Sequence, residues 1–514
     1  MKKIMFLLFG TALVASSCKK QLDVNQNPNQ PTAVTPNVIL SAALVGTASN
    51  NFNDYLGIAR WMGYWSRSGN YVPDVQTETY NIANDFSDAE WGNIYVNLNN
   101  YDYMENTGRS LDLPFYIGVA KVMKAYCFST LVDIYNNIPY KQAFKVTTVV
   151  QPPYDDAQTV YNDLVAQLDS AIDTYFESAK TFYDVQPASI ASTDDQYDVL
   201  FGSARTGVGD ATSRLELWQR FANTIKLKLL IHQSQVGAQA AFIATEIQKI
   251  TDNGFGLIGA NQSASTNPGY QASTGKISPL FGVFNKVDGT TTVNFDFYRA
   301  NTYAVNFYIN SGDERQALLY TGTSLTPGSN YDGDPAAVPN SQTSGVGPGL
   351  LKGFTQDAFL FSDFESLFLQ AEAVQRGWLT GSAQSLYESA VTQNYVYLNQ
   401  GTGLIADPVG DAGIYLSQGI KDADWTATPD KFELILTQKW AAMNGVNWVE
   451  AYSDFRRTGF PKSPTLDISH APSHLVPQIP VRLLYPQSEF NTNGKNVPAL
   501  GQNAQFTAKV FWNQ

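Results

Sequence analysis

Charge, histidine and cysteine are all scarce in this 514-residue chain. Only 15% of its residues are charged, against roughly 25% in soluble proteins at large, and 46 acids outnumber 33 bases for a net charge of −13 at pH 7. No run of Lys and Arg occurs anywhere, which excludes nucleic acid as a partner, since such binders concentrate basic residues on one stretch or face. Three histidines, His232, His470 and His474, with no HExxH, leave a zinc peptidase without its ligands. GxSxG is missing too, and with it the usual serine-hydrolase elbow. No cofactor motif survives inspection: Gly254 to Gly259 (GFGLIG) matches the dinucleotide fingerprint by letter, but it follows a helical pattern instead of a strand and reads as a helix stop. Asp332 and Asp334 lack the acidic twelfth position of a calcium loop. His470 and His474 have the spacing of helical metal ligands, yet Pro472 between them argues for a surface loop.

What the chain has in quantity is apolar and aromatic residues. Its 29 Phe, 28 Tyr and 9 Trp exclude an acidic disordered protein and must be buried or used for binding. Met1-Lys2-Lys3, an apolar run from Ile4 to Val14 and the small trio Ala15-Ser16-Ser17 read as a signal peptide over residues 1–17. The run is too short to span a bilayer of roughly 30 Å. Cys18 follows directly, where lipoprotein processing acylates a thiol, so the expected mature protein is held at a membrane by lipid on its first residue. Removing residues 1–17 takes away two lysines and no acid, which makes it more acidic still. Cys127 is then the one remaining cysteine and forms no internal disulfide. Residues 18–36 hold Pro28, Pro31 and Pro36 among Asn and Gln and read as a tether.

Residues 37–514 read as one mainly α domain of helical hairpins separated by long loops, with little β structure. Pro114 to Tyr135 is a helix with Pro near its start and Asn136-Asn137 at its end. Asp155 or Asp156 opens the next, with Val160, Leu164, Leu168 and Ile172 on one face. Trp218, Phe221, Ala222, Ile225 and Leu229 make another stripe, which leaves Lys226, Lys228 and His232 at its rim. Phe364 to Val374, a stop at Gly377 and a partner helix from Ser382 form a hairpin of the solenoid kind, and a further helix ends at Asn444-Gly445. No single repeat period runs through the chain. Residues 183–213 and 259–350 are dense in Gly, Ser, Thr, Asn and Pro and read as loop-rich segments that carry function, with a strand from Thr291 to Tyr298.

Neutral sugars are bound by stacking their C–H faces on aromatic rings and by hydrogen bonds to amides and carboxylates. Trp65, Tyr71 and Tyr80 lie at or beyond a helix end among Ser, Gly, Asn and Pro, and Tyr320 and Tyr331 lie in the second loop segment; these five are the ligand-binding candidates. A glycosidase would need two carboxylates at a set separation, and no segment presents one. Asp133, Asp155, Glu372 and Asp454 each read as caps, end charges or ion-pair partners, with Asp454 and Arg456-Arg457 pinning the reversal before Gly459.

Seven segments in order carry a resemblance: LDVNQNPNQPT after Cys18, Lys124 to Phe144, Tyr154 to Ile172, Trp218 to Gln233, Phe368 to Val391, Gln438 to Pro461 and Ile479 to Asn493. Together they resemble the SusD/RagB-like outer-membrane lipoproteins of Bacteroidetes nutrient uptake, over nearly the full length. Asn136-Asn137 departs from a glycine common there. The resemblance implies tetratricopeptide-like hairpins, a surface-facing lipid anchor, a SusC-like TonB-dependent transporter as partner, and capture of a glycan without catalysis. A peptide ligand, a lipid-anchored glycoside hydrolase and a structural lid without ligand are the other classes. Net negative charge disfavours a polyanionic glycan unless basic residues gather locally in the fold.

Overall fold

A computed structural model describes residues 34–322, 327–462 and 466–513. The signal peptide, Cys18 and nearly all of the tether lie outside the described residues. Of the described residues, 55% are helical and 5% strand, so the packing of helix on helix supplies the core.

Its first large hairpin pairs Asp88–Ser110 with Pro114–Tyr135 across a three-residue turn in which Asp112 takes a positive φ of 54°. Pro114–Tyr135 is long and apolar enough to cross a membrane, but 89% of that stretch is buried inside the fold, so it is a core helix. It ends where Asn136 adopts φ 68°, which asparagine tolerates better than most residues. Ala157–Ser170 packs against it, started by Asp156, whose Oδ1 accepts from Thr159 N at 2.9 Å, a cap of about 1 kcal/mol. The hairpin of Asp363–Gln375 and Ala383–Asn399 turns at Gly377 (φ 74°), and Ser382 Oγ caps the second helix at Ser385 N. Three two-stranded sheets tie loops to this stack; in one, Trp65–Arg67 runs antiparallel to Tyr298–Ala300 with Ser66 opposite Arg299.

Two segments depart from expectation. Within residues 183–213 lie the end of Glu177–Val185 and the helices Ala188–Tyr197 and Ser203–Thr206. Ala188–Tyr197 buries only Asp194, so it shows no apolar stripe; it is held instead by hydroxyls of Tyr116 and Tyr183 donating to Asp194. From Thr291 to Tyr298 the expected strand is mostly the short helix Val293–Phe297, and the strand begins only at Tyr298.

Lys226, Lys228 and His232 are also not at a rim, because Ala211–His232 is buried on nearly all sides. Lys226 pairs with Asp169 and, at 2.6 Å, with Glu246. Lys228 reaches Glu365 at 3.2 Å and Glu450 at 2.6 Å, while His232 lies 3.3 Å from both Asp133 and Glu450. Lys439 joins Glu450 to Asp454 (2.5 and 2.8 Å), and Arg457 joins Asp454 to Glu372 (2.7 and 2.6 Å). From Asp133 and His232 through Lys228, Glu365, Glu450, Lys439 and Asp454 to Arg457 and Glu372, one buried ion network thus laces five helices, and the cationic groups beside Glu372 hold its carboxyl down at about 2 against its burial. Asp454 therefore pairs with Arg457 as read, but serves inter-helix packing. Arg456 works apart from it, donating to the carbonyls of Asp133 (2.6 Å) and Val481 (3.0 Å).

Candidate ligand-binding site

Three of the five candidate aromatics belong to the core. Trp65 is enclosed by Phe284, Tyr298 and Trp448 at ring separations of 5.4–5.7 Å. Tyr80 packs edge-on to Trp61 at 6.0 Å, and its hydroxyl accepts from Ser469 N at 2.7 Å. Tyr320 donates to the Tyr64 carbonyl at 2.9 Å and accepts from Asn444 Nδ2 at 3.0 Å. These rings have no free face for a ligand. Polar neighbours in sequence mark where a helix stops, but the side chain there can still turn inward, as all three do.

Tyr71 and Tyr331 are half-buried at the surface, and the structure gives each an aromatic partner. Tyr71 meets Phe297 edge to face at 5.4 Å, and Tyr331 stacks on the exposed His470 at 4.0 Å with the rings 15° from parallel. His470 Nε2 lies 3.1 Å from Asp467, whereas His474 Nδ1 lies 2.6 Å from the Ala471 carbonyl, so the two histidines face different partners. Neither Phe297 nor the ring role of His470 was legible in sequence, since each partner lies more than a hundred residues from its tyrosine.

The two ring pairs stand on one loop platform. Ser68 N donates to the Phe297 carbonyl (2.9 Å), Gly69 N to Val338 (3.0 Å), and Asn340 N to Asn70 Oδ1 (2.8 Å). Asn330 Nδ2 donates to the carbonyls of Arg67 and Val338, while its Oδ1 accepts from Val338 N. His470 N donates to the Asp332 carbonyl at 2.7 Å and so joins the last loop to the rest. Close approach requires glycine at two points: a Cβ on Gly69 would lie 2.0 Å from the Ala337 carbonyl oxygen, and one on Gly333 (φ 70°) 2.2 Å from Ser469 Oγ. Gly69→Ala is therefore expected to cost about 1–3 kcal/mol in urea unfolding, the usual range for overpacking; an unchanged midpoint would show that the loops separate without cost.

Beneath the platform Arg60 is 2% exposed and meets three carboxylates, Asp74 (2.8 Å), Glu78 (2.8 Å) and Asp332 (2.6 Å), while Arg67 Nε donates to Glu78 at 2.6 Å. Burial pushes the Asp332 carboxyl upward and Arg60 pulls it back. Its ordered base and outward-facing rings suit the platform to recognition by stacking and hydrogen bonding.

A family model described as starch-binding and associating with the outer membrane matches residues 28–486. The chain belongs to the SusD-like family. Solved structures agree on the fold. A chitin-binding protein aligns at 23% identity with TM-score 0.69, over 93% of this chain and 100% of its own. A SusD homologue from Bacteroides fragilis gives 20% and 0.69 over 94% and 100%. A chitin-binding SusD homologue from Flavobacterium johnsoniae gives 20% and 0.69 over 92% and 98%. No curated protein matches the sequence. This SusD-like chain also uses residues beyond the family match for its core: Trp512 is fully buried and donates from Nε1 to Asp133 at 2.9 Å.

Proposed function

We propose that this SusD-like protein is a lipid-anchored surface nutrient binder that captures a glycan on the Tyr71/Phe297 and Tyr331/His470 platform and passes it unchanged to a SusC-like TonB-dependent barrel. The observation that carries this reading is the pair of surface aromatic contacts fixed on one hydrogen-bonded loop assembly. Rings held in place lose little entropy when a sugar stacks on them. Family membership, and the fact that two of the structural relatives are chitin-binding proteins, support a glycan over a peptide. Cys18 supplies the anchor and leaves the helical body at the outer membrane surface, where it serves as the barrel's lid.

Calorimetric titration with neutral chitin and starch oligosaccharides, and with peptides as the competing class, tests this. One oligosaccharide is expected to bind reversibly with no new reducing ends, and Tyr71→Ala or Tyr331→Ala to weaken it about tenfold, near 1.4 kcal/mol. Equal affinity in both variants would remove the platform from the account. Released product would make the protein a hydrolase.

A further inference from the structure

One cleft reverses the charge of the chain. It lies between the helices Asp88–Ser110, Pro114–Tyr135 and Ala157–Ser170 and the turn at residues 140–145, has a volume of about 640 Å³, and shares no lining residue with the loop platform. That volume falls within the range of small-molecule sites, about 300–1,000 Å³. Five of the chain's 33 basic side chains line it: Arg109, Lys121, Lys124, Lys141 and Lys145. In a protein of net charge −13, this is the local gathering of basic residues on which binding of an acidic glycan depends.

Three acids share the cleft and do not balance the five cations. Glu105 alone serves three of them, Arg109 at 2.6 Å, Lys124 at 3.2 Å and Lys121 at 3.7 Å. Asp102 pairs with Lys124 at 2.7 Å, and Asp163 accepts from the Tyr140 hydroxyl at 2.5 Å. Lys141 and Lys145 are exposed and make no ion pair among the described residues. Phe128, Tyr140 and Phe144 pack together along one wall, with Phe128 and Tyr140 edge to face at 4.8 Å; Phe128 is buried, and the half-buried Tyr140 and Phe144 give an apolar surface beside the charges.

We propose that this cleft is a subsite for an anionic sugar, one bearing a carboxylate or sulfate group, with Lys141 and Lys145 at its mouth and Lys121 at its base. A ring wall and a cationic base side by side fit a sugar with one charged substituent. A bilayer surface fits less well, because Lys121 is only 7% exposed and a flat headgroup layer does not reach it. Burial and the nearby Arg109 and Lys124 hold the Lys121 ammonium below its ordinary value, against Glu105.

The proposal goes beyond the platform reading and is tested apart from it. Purified protein is titrated with oligouronates and sulfated oligosaccharides of about four to six units, and with neutral counterparts of the same backbone, at about 0.02 and 0.3 M salt. The acidic ligands are expected to bind at least about tenfold tighter than the neutral ones at low salt and to lose that advantage at high salt. A Lys141→Ala/Lys145→Ala variant, which breaks no ion pair, is expected to lose about tenfold for the acidic ligands only. Tyr71→Ala and Tyr331→Ala are expected to leave the acidic preference intact. No binding of acidic ligands, equal affinity for acidic and neutral ligands, or an unchanged double-lysine variant would overturn the proposal. So would an acidic protein or phospholipid vesicle that bound with the same lysine dependence where the sugars did not.

Discussion

Glu450→Ala is expected to remove about 3–5 kcal/mol of folding stability, the loss typical when one partner of a buried charge cluster is deleted. Glu450 is 1% exposed and lies in the first turn of Trp448–Thr458, where its N–H is capped by Asn447 Oδ1 at 3.1 Å. Its carboxylate meets Lys439 at 2.5 Å, Lys228 at 2.6 Å and His232 at 3.3 Å. Without it, Lys439 keeps Asp454 and Lys228 keeps Glu365, but His232 loses its partner on Nε2 and three cationic groups remain in one dry region. A polar cavity of about 40 Å³ lined by Lys228, Asp133 and Glu450 adjoins the site. It has room for two or three waters, which solvate part of the exposed charge and place the loss toward the lower end of the range. Glu450→Gln keeps the shape and drops the charge, so it is expected to cost less, about 1–3 kcal/mol. Urea unfolding at pH 7 with an unchanged m-value measures both; a loss below 1 kcal/mol for alanine would mean that the network contributes little to holding the five helices together.

The same network shows where sequence reading stops. Helix positions and ends were legible because caps and stops act within a few residues: Asp156, Ser382 and Gly377 sit where local chemistry requires them. Lys228 and His232 were misplaced because an amphipathic pattern assigns every polar residue to water. Their partners, Glu450 and Glu365, are more than a hundred residues away, and nothing near residue 230 announces them. The aromatics failed for the same reason. Whether Trp65 or Tyr71 faces out depends on Tyr298, Trp448 and Phe297, which only the fold brings to them. Family membership was legible through a combination of segments over nearly the full length, which is also the scale on which the family match, residues 28–486, holds.

Stability is expected to fall as pH rises from about 6.5 toward 9, by about 3 kcal/mol in full, because of His232. Burial opposes charging this imidazole, but Asp133 and Glu450 overcome it and raise its pKa from 6.5 to about 9. Asp133 is itself fixed by the Tyr161 hydroxyl and by Trp512 Nε1, so the His232 Nδ1 side is fully built. A base whose folded pKa is raised gives stability that is complete below the unfolded pKa and is lost as pH climbs through the folded one. Two other groups bound the useful window. Asp54, raised to about 7 mainly by burial, lowers stability only up to that pH, and Lys352, lowered to about 8 by burial, raises stability above it. Between pH 7 and 8 the slope therefore belongs chiefly to His232 and is expected to approach 1.4 kcal/mol per pH unit, the value for one proton. His232→Gln keeps a polar group between the two carboxylates and cannot charge, so its urea-unfolding free energy is expected to be lower at pH 7 and flat across this interval. If the variant kept the wild-type slope, the proton would be bound elsewhere and His232 would be neutral in the folded protein.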